Sequence, residues 1–368
     1  MTASCTRENL SAGLNVVGRS VGGRSSLPVL SNILIKTEKG GLKLSATDLE
    51  IGINTWIGAK VDDEGAITVP ARLLMDYITN NNDKKVDLTL KGLDLNLSSD
   101  HFKVNIKGID ASEFPLIPEV KRKTEIFCQE QDFSQAIRKT IVAVAMDESR
   151  PVLAGLYFNI KGDSLKIVAT DSYRLAEQKI NLLKKVDEEI SFIIPMRPMA
   201  EILRILDGTY EKISIYPGEN QVEFVIGKTT LVSRLINGSF PDYGQIIPTT
   251  STTSVSVNNS EFLGANKMAQ IFAKDSANNI KLKLKSPSEI SVSAASAHLG
   301  DNVSKVLGDV SGKELEISFN AKFILDVLQV LKSEKVKIDL STASAPGLIF
   351  AEKDPGYLYV IMPIRTDE

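Results

Sequence analysis

Residues 28–48, PVLSNILIKTEKGGLKLSATD, lie without a gap on residues 151–171, PVLAGLYFNIKGDSLKIVATD, 123 residues further along the chain. Both stretches open on Pro-Val-Leu and close on Ala-Thr-Asp, and self-similarity at a fixed period marks a repeated structural unit. The period continues on either side. TVPARLLMDYI, from Thr68, matches IIPMRPMAEIL, from Ile193, and IDASEFP, from Ile109, matches INGSFP, from Ile236, with one residue inserted. A third, weaker copy follows. SFNAKFILDVLQVL, from Ser318, lies on the run around Pro195 with Asn320 opposite that proline, and EISVSAAS, from Glu289, lies on SLKIVATD, from Ser164. Ser296 thereby stands where the first two copies carry Asp48 and Asp171. The unit is a third of the chain, and the expected domains are 1–124, 125–250 and 251–368. The second boundary falls in PTTSTTS, a polar stretch with no apolar period.

Two patterns alternate within each copy. Val86, Leu88 and Leu90, then Leu93, Leu95 and Leu97, then Phe102, Val104 and Ile106 recur at every second residue, broken at Lys91-Gly92 and Ser98-Ser99-Asp100. That is a meander of strands. Helical spacing follows Pro70, Pro195 and Asn320, and three further helices begin near Leu10, Phe133 and Phe262. The predicted fold class is α+β: three tandem copies, each mostly antiparallel sheet with two short helices.

Composition narrows the function. Apolar residues are 43% of the chain and charged residues 24%, ordinary globular values that argue against disorder and collagen. No apolar run approaches the roughly 18 to 20 residues that span a bilayer, and MTASCTRENL lacks the layout of a signal peptide. The expectation is a soluble, cytoplasmic protein with no membrane partner. Two cysteines, Cys5 and Cys128, and two histidines, His101 and His298, leave no disulfide framework and no zinc cluster, so neither metal nor cofactor is expected. Phosphate-loop, zinc-protease and nucleophile-elbow motifs are missing, and an aspartate repeated after a strand is a turn former before it is a paired catalytic acid. No catalytic residue is expected, and the chain is read as a non-enzyme. The net charge of −3 excludes binding through bulk positive charge. Windows around the six helices nevertheless hold 15 Lys/Arg against 11 Asp/Glu, so the helices are relatively positive and the rest acidic.

Five strings stand in register with the repeat: GGRSSLPVLSN from Gly22, ATDSYRLA from Ala169, GSFPDY from Gly238, FNAKFILDVL from Phe319 and YVIMPIR from Tyr359. Together they resemble the bacterial DNA polymerase III beta subunit family, the sliding clamps, over the whole chain. The resemblance implies three DNA-clamp domains per chain and a head-to-tail homodimer closed into a ring, with helices lining the hole and sheets outside. It implies a non-catalytic processivity factor that encircles duplex DNA without reading sequence. Its partners would be the polymerase III alpha subunit, other polymerases and the clamp loader. Arg24, Arg72, Arg150 and Arg197 are carried over as DNA-facing. A cleft for short, apolar-ended partner peptides would be walled by Leu153, Thr170, Ser172, Tyr173, Arg174, Leu175, Pro241, Ile246, Asn320, Phe323, Val360, Ile361, Met362, Pro363 and Arg365, with Arg174, Asn320 and Arg365 fixing the peptide's polar atoms. Tyr173 stands where many family members have His, and Gln245 where some have Arg. The dimer contact would set Val104 and Ile106 against Ile271 and Phe272.

Overall fold

A computed structural model describes residues 1–21, 27–38, 40–147 and 149–365. Six helices form among them: α1 (Arg7–Val17), α2 (Ala71–Asn80), α3 (Glu130–Thr140), α4 (Met196–Ile205), α5 (Asn259–Ala273) and α6 (Ala321–Val330). Their starts follow from local chemistry. Thr6 accepts the Asn9 N–H at 3.2 Å ahead of α1, and Asn258 accepts those of Ser260 and Glu261 ahead of α5. Pro70 and Pro195 precede α2 and α4, where a missing N–H costs nothing. In the third copy Asn320 replaces the proline and caps α6 with its side chain, accepting from Lys322 N at 2.9 Å. No helix of the described residues is long and apolar enough to cross a membrane.

The chain packs as two compact units, Met1–Glu130 with Arg197–Leu235, and Gln131–Met196 with Ile236–Glu368. The first holds a five-stranded antiparallel sheet ordered Lys60–Asp63, Thr2–Thr6, Lys85–Lys91, Asp94–Ser98, Lys103–Lys107. Leu10 and Leu14 of α1, Leu74 and Ile78 of α2, and Val86, Leu88, Leu95 and Leu97 of the sheet are all buried. Gly13 lets α1 lie close to its neighbours: a Cβ there would meet Leu44 and Ile57 at 2.7 Å. An eight-stranded sheet completes this unit. In it the three-strand meander of the second copy, Lys212–Pro217, Gln221–Ile226 and Thr229–Arg234, joins the first copy by pairing Thr229–Ser233 with Ile51–Thr55.

The second unit is built on a ten-stranded sheet, and the same joint recurs there. The last strand of the third copy, Tyr357–Ile361, pairs antiparallel with Arg174–Gln178 of the second. The two joints match bond for bond. Arg234 N bonds Glu50 O at 3.1 Å in one, and Met362 N bonds Tyr173 O at 2.8 Å in the other; Trp56 N bonds Lys228 O at 3.1 Å, and Lys179 N bonds Gly356 O at 2.8 Å. Each time, the strand after the Ala-Thr-Asp turn pairs with the final strand of the next copy.

Two strands of the same types lack that joint among the described residues. Lys103–Lys107, the final strand of copy one, ends its sheet. Gly300–Gly312 pairs along residues 300–307 with Glu289–Ser296 on one side, and gains Thr253–Val257 only from residue 308 onward. The sequence expectation needs correcting at Ile106: it is 3% exposed, because packing within its own unit covers it, so it is not free to meet a second chain. Val104 is 38% exposed and Ile271 51%.

Candidate functional site

The Ala-Thr-Asp ends of the first two copies fold into one turn. Asp171 Oδ1 accepts from the N–H groups of Tyr173 and Arg174, both at 3.0 Å, while Thr170 Oγ1 donates to Arg174 O at 2.6 Å and accepts from Ser172 N at 3.2 Å. Asp48 Oδ1 accepts from Glu50 N at 3.0 Å and Ile51 N at 2.8 Å, and Thr47 Oγ1 donates to Ile51 O at 2.9 Å. Leu49 and Ser172 hold the same left-handed backbone, φ 77° and 76°. In the third copy Ser296 Oγ takes the aspartate's place, accepting from His298 N at 3.3 Å and Leu299 N at 3.2 Å. One carboxylate oxygen of each aspartate is spent on turn formation.

The turn aims Arg174 inward. Its guanidinium donates to Asp171 Oδ2 at 2.9 Å and Asp326 Oδ2 at 2.6 Å, reaches the Tyr359 hydroxyl at 3.4 Å, and lies 4.3 Å over the Phe323 ring. Tyr359 in turn donates to Phe323 O at 3.0 Å. Arg174 is only 7% exposed, and its Nε and Nη1 already donate within the chain. Burial disfavours its charge, but Tyr359, Asp326 and Asp171 outweigh that and raise its pKa above the ordinary arginine value. Asn320 is likewise engaged as the α6 cap, and its Nδ2 reaches Ala277 O at 3.4 Å.

The other face of the joint is apolar. Leu175 pairs with Val360, and these two pack with Val168 under Tyr157, Phe240, Tyr243, Ile247, Leu348 and Leu358. Tyr157 and Phe240 stack at 4.7 Å. Tyr243 donates to Glu177 at 2.6 Å, and burial and that carboxylate together push its phenol well above its ordinary pKa, so it remains a donor. Leu153, Thr170, Leu175, Val360 and Ile361 are buried, whereas Tyr173 (65%), Ile246 (43%) and Met362 (36%) form an exposed rim, with Ser172, Pro241 and Arg365 also exposed. The C-terminal run is pinned there by Ile364 N to Ser318 O at 2.8 Å.

Three of the four expected DNA-facing arginines are exposed. Arg72 projects from α2, Arg150 donates to Ser172 at 3.1 Å, and Arg197, opening α4, pairs with Asp48 at 2.5 Å. Arg24 lies outside the described residues. Sequence reasoning missed a second polar cluster beside the joint: Lys139 of α3 meets Asp354 and Gln178, and the Tyr357 hydroxyl donates to the Lys139 carbonyl at 3.3 Å. Those partners are up to 218 residues apart, and no local pattern announces them.

Three copies of a strand-rich unit, joined edge to edge and bearing an exposed apolar rim on one joint, define a repeat protein of the clamp class. The N-terminal, central and C-terminal domain models of the DNA polymerase III beta subunit match residues 1–118, 128–242 and 244–365. The chain is 30% identical to the beta sliding clamp of Bacillus subtilis and 31% identical to that of Staphylococcus aureus, covering 100% of each sequence. The crystal structure of the Bacillus subtilis sliding clamp superposes with a TM-score of 0.95 at 29% identity over 100% of both chains. A Pseudomonas aeruginosa clamp bound to griselimycin does so with a TM-score of 0.95 at 27% identity, again over 100% of both. The chain belongs to the DNA polymerase III beta subunit family.

Proposed function

We propose that the chain is a sliding clamp: half of a homodimeric ring that encircles duplex DNA and tethers a replicative polymerase to it, itself performing no chemistry. The observation that carries this is the joint. Each copy is built to accept the final strand of the next, and among the described residues that arrangement is used twice, leaving one donor strand (Lys103–Lys107) and one acceptor edge (residues 300–307) over. A second copy supplies the missing partner for each. A head-to-tail contact of this kind closes into a ring when the rotation per unit allows it, and domains 1–124, 125–250 and 251–368 from two chains give six like units. Val104, with Ile271 and Phe272, supports an apolar contact beside the paired edges.

DNA is held by encirclement, so diffuse phosphate attraction from Arg24, Arg72, Arg150 and Arg197 suffices and no base needs reading. Arg197 is already paired with Asp48, so in this reading Arg72 contributes more to the salt dependence. The rim of Tyr173, Ile246 and Met362 over the Leu175–Val360 floor supports the capture of apolar-ended peptides from polymerases and the clamp loader, an extended-segment mode of recognition. Met362 suits varied partners because methionine repacks. The experiment is a double variant. Tyr173→Ala/Met362→Ala is expected to raise the Kd for a synthetic peptide ending in Leu-Phe by about tenfold or more while leaving the dimer intact in sedimentation. Dissociation into monomers, or unchanged peptide affinity, contradicts the assignment.

A further inference from the structure

The joint between copies one and two repeats the one that carries the proposed peptide site, yet it is finished differently. Gly52 pairs with Val232 where Leu175 pairs with Val360. Into the space a side chain at residue 52 would take, the chain inserts Ile117: a Cβ on Gly52 would lie 2.6 Å from the Ile117 Cγ2. The residue at the corresponding place in copy two, Tyr243, packs against Leu175 and Val360 with its hydroxyl tied to Glu177 at 2.6 Å, and the floor below it keeps its leucine side chain. The rim differs as well. Glu50 and Arg234 occupy the positions of Tyr173 and Met362 and form an ion pair at 3.3 Å. What remains is a pocket of about 160 Å³ lined by Leu49, Leu116, Ile117, Pro118, Val232 and Arg234, among others.

We propose that Ile117 is an internal stopper: with the Glu50–Arg234 pair across the rim, it closes a repeat-related copy of the peptide groove, so that one chain captures one partner peptide rather than two. A peptide end entering this joint would have to displace a seated isoleucine and bury apolar surface beside two charges, whereas Tyr173 and Met362 at the other joint present an exposed rim without charge. The inference rests on the peptide-binding reading given above.

Methyl NMR on the full-length chain separates the two. With a synthetic pentapeptide ending in Leu-Phe, the Val360 methyls report the proposed peptide site and the Val232 methyls report the stoppered joint. In the wild-type chain Val360 is expected to shift and Val232 to stay still. In Ile117→Ala/Arg234→Met both are expected to shift, the second with a Kd about tenfold higher. Ile117→Ala alone, which leaves the ion pair, is expected to give a weaker form of the same response. Ile117 is half-buried, so its truncation leaves the fold in place, and a Val360 shift in the same sample confirms that. Val232 silent in the double variant while Val360 moves overturns the stopper, and so does Val232 moving in the wild-type chain. Val360 silent in the wild-type chain overturns the peptide reading itself and the stopper with it.

Discussion

The guanidinium of Arg174 sits among Asp171, Asp326 and Tyr359 with the Phe323 ring beneath it, and removing it leaves two carboxylates at a largely buried joint without their cation. Arg174→Ala is therefore expected to cost about 3 kcal/mol, read from urea unfolding. Arg174→Lys is expected to recover less than half of that, since a single ammonium cannot reproduce the forked geometry. An unchanged unfolding midpoint in Arg174→Ala would show the network to be idle. His101 offers a test by pH. Its Nδ1 lies 2.7 Å from Asp83, and this hydrogen bond raises the imidazole pKa above its usual value and lowers the Asp83 carboxyl to about 2. The histidine's contribution to stability is thus complete below its ordinary pKa and is lost as pH rises through the raised one. The aspartate's is present above its ordinary pKa of 3.8 and is lost as pH falls toward about 2. A proton NMR titration is expected to show the His101 pKa fall in Asp83→Asn; an unmoved value would contradict the pairing.

At the scale of elements, the Ala-Thr-Asp turn is the part of the site most legible in the sequence. Its aspartate and its repetition pointed to a strand-ending turn, and the third copy keeps the turn with Ser296 in the aspartate's place. Asp48→Ala removes acceptors from two backbone N–H groups and is expected to cost about 1–2 kcal/mol in thermal unfolding. Leu49→Gly, at φ 77°, is expected to be neutral or to stabilise by up to about 1 kcal/mol, because glycine holds the left-handed conformation without strain. A clear loss of stability there would mean that the Leu49 side chain matters more than its backbone. The helices and the meander were readable from period and from Pro70, Pro195 and Asn320. Period could not show which member of an alternating run is covered by its own unit: Val104 and Ile106 share one face, and only packing separates an exposed residue from a buried one. The partners of Arg174 and Lys139 were unreadable for a related reason, since 152 residues separate Arg174 from Asp326 and 215 separate Lys139 from Asp354.

For the whole molecule, the leftover donor and acceptor edges turn the repeat into an assembly rule. Ile271→Asp places a charge on an exposed apolar residue at the proposed seam and is expected to raise the dimer Kd by about tenfold or more in analytical ultracentrifugation; an undisturbed dimer would move the seam elsewhere. The net charge of −3 fits a protein that stays on DNA by enclosing it, because enclosure needs little electrostatic grip. The most direct measurement is retention after loading on nicked circular duplex and on linear duplex of equal length. Residence is expected to be much longer on the circle, with rapid loss from free linear ends, whereas equal residence on both would contradict encirclement.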